Sequence, residues 1–155
     1  MPYVTRVLQP GETVVYTTKL HWFLYLWAIL LIIICIILAI AGLNTASDQN
    51  ISLAFWIAAL IFALLALSSA LRAFIRRAAT ELAVTDQRVI YKTGLLARHT
   101  LEMNRARVES VTVDQTFLGR IFGYGTVTVR GVGSAFEPIR NINDPLTFRT
   151  YITTA

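Results

Sequence analysis

WFLYLWAILLIIICIILAIAGL at residues 22–43 and ISLAFWIAALIFALLALSSAL at residues 51–71 decide how this chain is read. Neither run holds an Asp, Glu, Lys or Arg. At about 1.5 Å of rise per residue, each has roughly the 20 residues an α-helix needs to cross the hydrocarbon of a bilayer. A soluble core helix would show a polar face at helical period, and the run Leu30-Leu31-Ile32-Ile33-Ile34-Cys35-Ile36-Ile37-Leu38 shows none. The reading is a membrane-spanning helical hairpin closed by the polar loop 44–50. The second helix is expected to run on toward residue 79, because Arg72-Ala73-Phe74-Ile75-Arg76-Arg77-Ala78-Ala79 still suits a helix.

Charge orients the hairpin. Lys19, Arg72, Arg76 and Arg77 flank the outer ends of the two runs, and the loop between them carries only Asp48. Loops rich in Lys and Arg stay on the cytoplasmic side, so both termini are expected in the cytoplasm and the loop outside. Trp22, Phe23, Tyr25 and Trp27 open the first run, where amphipathic rings settle among headgroups. The four cations are candidate headgroup contacts, since a cation at an anionic surface adds about 1 kcal/mol; marking topology is their simpler role. The net charge of +5 therefore has no nucleic-acid meaning: the first 77 residues carry +3 of it beside the spans, and residues 78–155 mix both signs for only +2.

Within the hairpin, the second helix spaces small residues at Ala59, Ala63, Ala66 and Ala70, which permits close backbone approach to the first helix or to another copy. The spans hold no ionisable group of the kind that lines a proton or ion path. Ala39-Ile40-Ala41 has the form of a signal-peptidase site, but the apolar stretch before it is longer than a signal core and a second span follows, so an intact span is expected. The single cysteine, Cys35, is mid-span and is assigned to packing.

Working outward, the opening segment from Leu8 to Trp22 begins with the turn signal Pro10-Gly11 and continues into β-branched and aromatic residues, which read as a short strand leading into the first span. Its expected place is the edge of a sheet or the membrane surface. Beyond Thr80 the apolar period becomes two: Leu82 and Val84, Val89 and Tyr91, Val111 and Val113, Val127 and Val129, with turns at Thr85-Asp86-Gln87 and Lys92-Thr93-Gly94. Short strands at this spacing make an antiparallel sheet or small barrel. In 143–152, Asp144 is placed to cap a short helix, Pro145 suits its first position, and Phe148, Tyr151 and Ile152 share a face. The chain thus divides into an N-terminal strand and juxtamembrane segment at 1–21, the two spans at 22–79, and a cytoplasmic domain at 80–155.

Leu82-Ala83-Val84-Thr85-Asp86-Gln87-Arg88-Val89-Ile90, Thr93-Gly94-Leu95-Leu96, and above all Leu118-Gly119-Arg120-Ile121-Phe122-Gly123-Tyr124-Gly125 resemble the bacterial Pleckstrin-homology-like domain family. Leu8-Gln9-Pro10-Gly11-Glu12 and His21-Trp22 resemble its two-span members. The resemblance implies an α+β membrane protein of the bacterial cytoplasmic (inner) membrane: a transmembrane helical hairpin followed by a Pleckstrin-homology-like antiparallel split β-barrel with a short C-terminal helix. Eukaryotic relatives of the fold hold phosphoinositides with basic residues around the first hairpin. Here only Arg88 and Lys92 lie near that turn, so headgroup binding is not carried over.

In the most specific run, Thr116 is placed to cap a helical turn bearing Phe117, Leu118, Ile121 and Phe122, with Gly119, Gly123 and Gly125 for tight turning. These apolar groups either plug the barrel or face lipid or a partner; plugging is the expectation, because large apolar side chains of small domains go to the core. Arg120 is expected to pair with Glu109 or Asp114, or to project to a partner.

Catalytic and metal chemistry find no support. His21 and His99 fit no metal-ligand spacing, Gly131-Val132-Gly133-Ser134-Ala135-Phe136 lacks the third glycine of a dinucleotide loop, and Ser134 lacks the glycines of a nucleophile elbow. Asn50-Ile51-Ser52 has the form of a glycosylation sequon but abuts the second span. No cofactor is expected. Three functions follow: a membrane-anchored scaffold or interaction module that docks a protein partner or its own copies, an accessory subunit of a larger membrane complex, and a sensor of anionic lipid.

Overall fold

The computed structural model describes residues 4–45, 48–95, 99–135 and 138–154. Leu96 and Phe136 of the quoted motifs, and residues 46–47 of the loop between the apolar runs, lie outside the described residues. The chain forms two compact units, one made of residues 24–75 and the other of residues 1–23 with 76–155.

The first of these is helical. A 3-10 turn at Trp22–Tyr25 leads into α2 (Leu26–Asn44), and α3 runs from Gln49 to Ala79. Both helices are long and apolar enough to cross a membrane. Their contact is a seam of small residues seven apart: Ala28, Cys35 and Gly42 on α2, and Ser52, Ala59 and Ala66 on α3. Cys35 Sγ donates to the Ala59 carbonyl at 3.3 Å and Ser52 Oγ to the Gly42 carbonyl at 3.0 Å. That register sets Ala28 opposite Ala66, both buried. A repeat of seven keeps one narrow face toward an antiparallel neighbour, and small side chains on it let the backbones approach. Ala63 and Ala70 are off this seam, half-buried, because the repeat is seven and not four.

The other unit begins with a short helix, α1 (Val4–Val7), and strand β1 (Val14–Thr18). β1 pairs antiparallel with β2 (Glu81–Thr85), so the opening segment is an edge strand of the first sheet. That sheet continues through β3 (Arg88–Thr93) and β4 (His99–Asn104) in the order β1-β2-β3-β4. The second sheet has β6 (Tyr124–Gly131) at its centre, with β5 (Val108–Asp114) on one side and the short β7 (Ser134–Ala135) and β8 (Ile139–Asn143) along the other. The sheets are stitched where β1 ends: Leu20 bridges Ile142, and the His21 amide donates to the Asn141 carbonyl at 2.7 Å. Between β5 and β6 stands a two-turn helix, α4 (Phe117–Phe122), and α5 (Pro145–Thr153) closes the chain.

All eight period-two residues named from the sequence belong to one core, joined by Met103, Ile139 and Ile142. The helix that packs on it is α5: Asp144 Oδ1 accepts from the Thr147 amide at 3.3 Å, Pro145 takes the first turn, and Phe148 and Ile152 are buried. Tyr151, on the same face, is more exposed and stacks on Tyr16 with ring centres 4.6 Å apart.

Candidate functional site

Two motifs that lie far apart in sequence meet at one end of the first sheet. Pro10-Gly11 turns the chain so that Glu12 enters beneath the β2–β3 hairpin, where its side chain is removed from solvent. Arg88 grips it with both arms, Nε to Oε1 at 2.9 Å and NH2 to Oε2 at 2.8 Å, while Thr85 Oγ1 donates to Oε1 at 2.7 Å and the Gln9 amide to Oε2 at 2.8 Å. The second guanidinium nitrogen reaches Glu102 at 2.5 Å, and NH2 also donates to the Val7 carbonyl. The Arg88 hydrogen bond leads the causes that hold the Glu12 carboxyl at about 2, against an opposing cost of burial. Arg88 is pushed up in turn, first by the same bond. Asp86 completes the clasp, Oδ1 accepting from the Thr13 amide at 3.0 Å. Lys92, the other cation of this hairpin, faces Glu81 at 3.8 Å. Carboxylates thus occupy the positions an anionic ligand would need, and the clasp straps the opening segment to the sheet.

The turn that leads into β6 is different. Gly119 is the buried residue of α4, where a Cβ would come within 2.6 Å of the Tyr124 carbonyl oxygen, so no side chain fits. Gly123 ends the helix in the left-handed region at φ 75°, and Thr116 Oγ1 accepts from the Gly119 amide at 3.1 Å. The Gln115 amide ties the turn to the Tyr124 carbonyl at 3.1 Å. This fixed turn does not plug the core. Phe117 is 78% exposed and Ile121 61%, with Leu118 and Phe122 also exposed. The interior they were expected to fill is taken by Phe148 and Ile152 of α5, and with Gly119 seated on the body the apolar residues are left pointing away from it. Arg120 is exposed too and forms no ion pair with Glu109, Asp114 or another carboxylate among the described residues.

The outer face of this turn meets the residues with which the first apolar run begins. Phe23 stacks on Tyr124 at 4.2 Å, and Phe122 lies 5.9 Å from Trp22, edge on, and 6.3 Å from Phe23. His21 packs between Trp22 and Tyr124, its Nδ1 accepting from the Phe23 amide at 3.2 Å. Burial lowers its pKa and the Arg77 charge lowers it further, so the ring is neutral at pH 7. Beside it opens a cavity of about 330 Å³ lined by Thr18, Lys19, His21, Trp22, Arg77 and Asn143, with no carboxylate among its described lining. Of the four cations flanking the spans, Lys19 and Arg77 share this cavity, while Arg72 and Arg76 are exposed along α3.

A larger cavity of about 660 Å³ adjoins the β2–β3 turn and α5. Arg105, which sequence reasoning did not single out, crosses it to the carbonyls of Thr85, Ile152 and Thr154. It serves the fold by tying the end of α5 to β2. Among the described residues no cluster of three or more His, Cys, Asp or Glu could hold a metal ion.

A family model described as Bacterial PH domain matches residues 12–155, an interval that opens on Glu12 and includes both long helices. Neither a curated protein nor a solved structure matches the chain.

Proposed function

The chain belongs to the bacterial PH-domain family, and from that premise we propose that it is a membrane-anchored interaction module. A hairpin of two spanning helices would hold a PH-like split barrel at the cytoplasmic face of the inner membrane, where it meets a protein partner or further copies of itself. The observation that carries this reading is the surface of α2 and α3. Outside their seven-residue seam these helices present large apolar side chains all round, Ile37 and Leu67 among them at 60% and 67% exposure. A monomeric soluble protein rarely exposes a contiguous apolar patch beyond a few hundred Å², whereas lipid solvates such a surface without cost. The two sheets stitched at Leu20 and Ile142 and packed by α5 support the split-barrel reading, and Lys19, Arg72, Arg76 and Arg77 against the lone Asp48 support the orientation.

An anionic-lipid reading has its own support, since Lys19 and Arg77 share a cavity without a described carboxylate. Topology is the first test. The chain is expected to stay in the membrane fraction through alkaline washing, and its C-terminal half to resist protease added outside sealed cells while becoming cleavable in inverted vesicles. Release without detergent, or cleavage from outside, would overturn the proposal. The mass of the particle in mild detergent then separates a module bound to other chains from a single chain bound to lipid.

A further inference from the structure

The least explained surface on the β unit is α4. At 100° per residue, Phe117, Ile121, Leu118 and Phe122 fall within an arc of about 140°, the buried Gly119 stands about 60° beyond it on the Phe122 side, and Arg120 about 60° beyond it on the Phe117 side. The turn is locked by Thr116, Gln115 and the close approach of Gly119, so the exposed rings are held on a rigid knuckle. One end of that arc already touches Trp22 and Phe23 through Phe122, and Trp22 is where the first long apolar stretch begins.

Resting on the anchoring reading above, we infer that α4 is a membrane wedge: its apolar arc enters the headgroup and acyl boundary of the same bilayer the hairpin crosses, with Arg120 reaching back to lipid phosphate. The occupant follows from continuity. The chain enters the membrane at Trp22, so a helix whose last ring packs on Trp22 lies at the depth of the interface. An interfacial helix buries its apolar face about 5–10 Å into the headgroup region, and the six residues of α4 form a body about 9 Å long. Its cation lies about 60° beyond the apolar arc, from where a long side chain reaches up to the polar layer.

The experiment uses the full chain in lipid vesicles, with Cys35→Ser as background and an environment-sensitive fluorophore on Phe117→Cys, Ile121→Cys or Val132→Cys. Val132, 70% exposed, is the control: it follows the last residue of β6, about 25 Å along the strand from Tyr124. The expected result is blue-shifted emission at 117 and 121, strong quenching by lipids spin-labelled near the headgroup, and iodide quenching several-fold weaker than at 132. If the chain remains in the vesicles after alkaline washing but 117 and 121 are quenched by iodide as readily as 132, the wedge is refuted and the anchor stands. If the chain washes out, the anchoring reading itself has failed. Shielding from iodide without quenching by labelled lipid, lost on dilution into excess lipid, would give the surface to a second copy and also overturn the wedge.

Discussion

Replacing Glu12 by Gln keeps the shape of the clasp and removes its charge. The carboxyl is held at about 2 against an ordinary value of 4.5, and at 1.36 kcal/mol per unit that difference corresponds to about 3 kcal/mol of stability at neutral pH. Removing one partner of a buried ion pair gives a similar figure, about 3–5 kcal/mol, and the low end applies because Glu102 still faces Arg88 in the variant. The folded pKa lies below the unfolded one, so the unfolded chain binds the proton more readily. The contribution is therefore complete above about pH 4.5 and is lost as the pH falls toward about 2. Amide hydrogen exchange of the full chain in detergent reads this locally. In Glu12→Gln the protection of β1 to β3 is expected to drop about a hundredfold at pH 7, and wild type and variant should converge as the pH is lowered from about 4.5 toward about 2. Equal protection at pH 7, or a gap that does not close in acid, would refute the view that this ion pair holds the opening segment to the sheet.

Other perturbations separate the core from the exposed knuckle. Phe148→Ala, at a ring wholly inside the core, should cost about 3–5 kcal/mol, whereas Phe117→Ala should leave the melting temperature of detergent-solubilised protein nearly unchanged. Gly119→Ala drives a methyl group against the Tyr124 carbonyl and should cost about 1–3 kcal/mol, seen as a lower melting temperature and loosened amides at 116–124. Ala59→Leu overfills the α2–α3 seam opposite Cys35 and should cost a similar amount; disulfide trapping between cysteines placed across the seam should slow, while Leu60→Ala on the outer face leaves it unchanged.

Where one periodicity coincides with one environment, the residues announced their positions. Alternation carried Leu82 and Val84, and their partners on three other strands, into a single core because strand side chains point to opposite faces. Asp144 and Pro145 announced α5 because a cap and a first turn are local chemistry. β8 stayed hidden: Ile139 and Ile142 both reach the core although they are three apart, because Asn141 takes a positive φ of 60° and the register against β6 shifts. The Glu12 clasp was equally silent, since its partner is 76 residues away across both long helices.

The amino-acid order alone determined two uncharged runs of spanning length, at 22–43 and 51–71, because burying or solvating a charge there is a question of composition and needs no neighbour. It did not determine which way Phe117, Leu118, Ile121 and Phe122 face. Four apolar residues on a two-turn helix suit a core and an exposed surface equally well, and only the tertiary structure turned them outward, by filling the interior with Phe148 and Ile152 and seating Gly119 against the Tyr124 backbone.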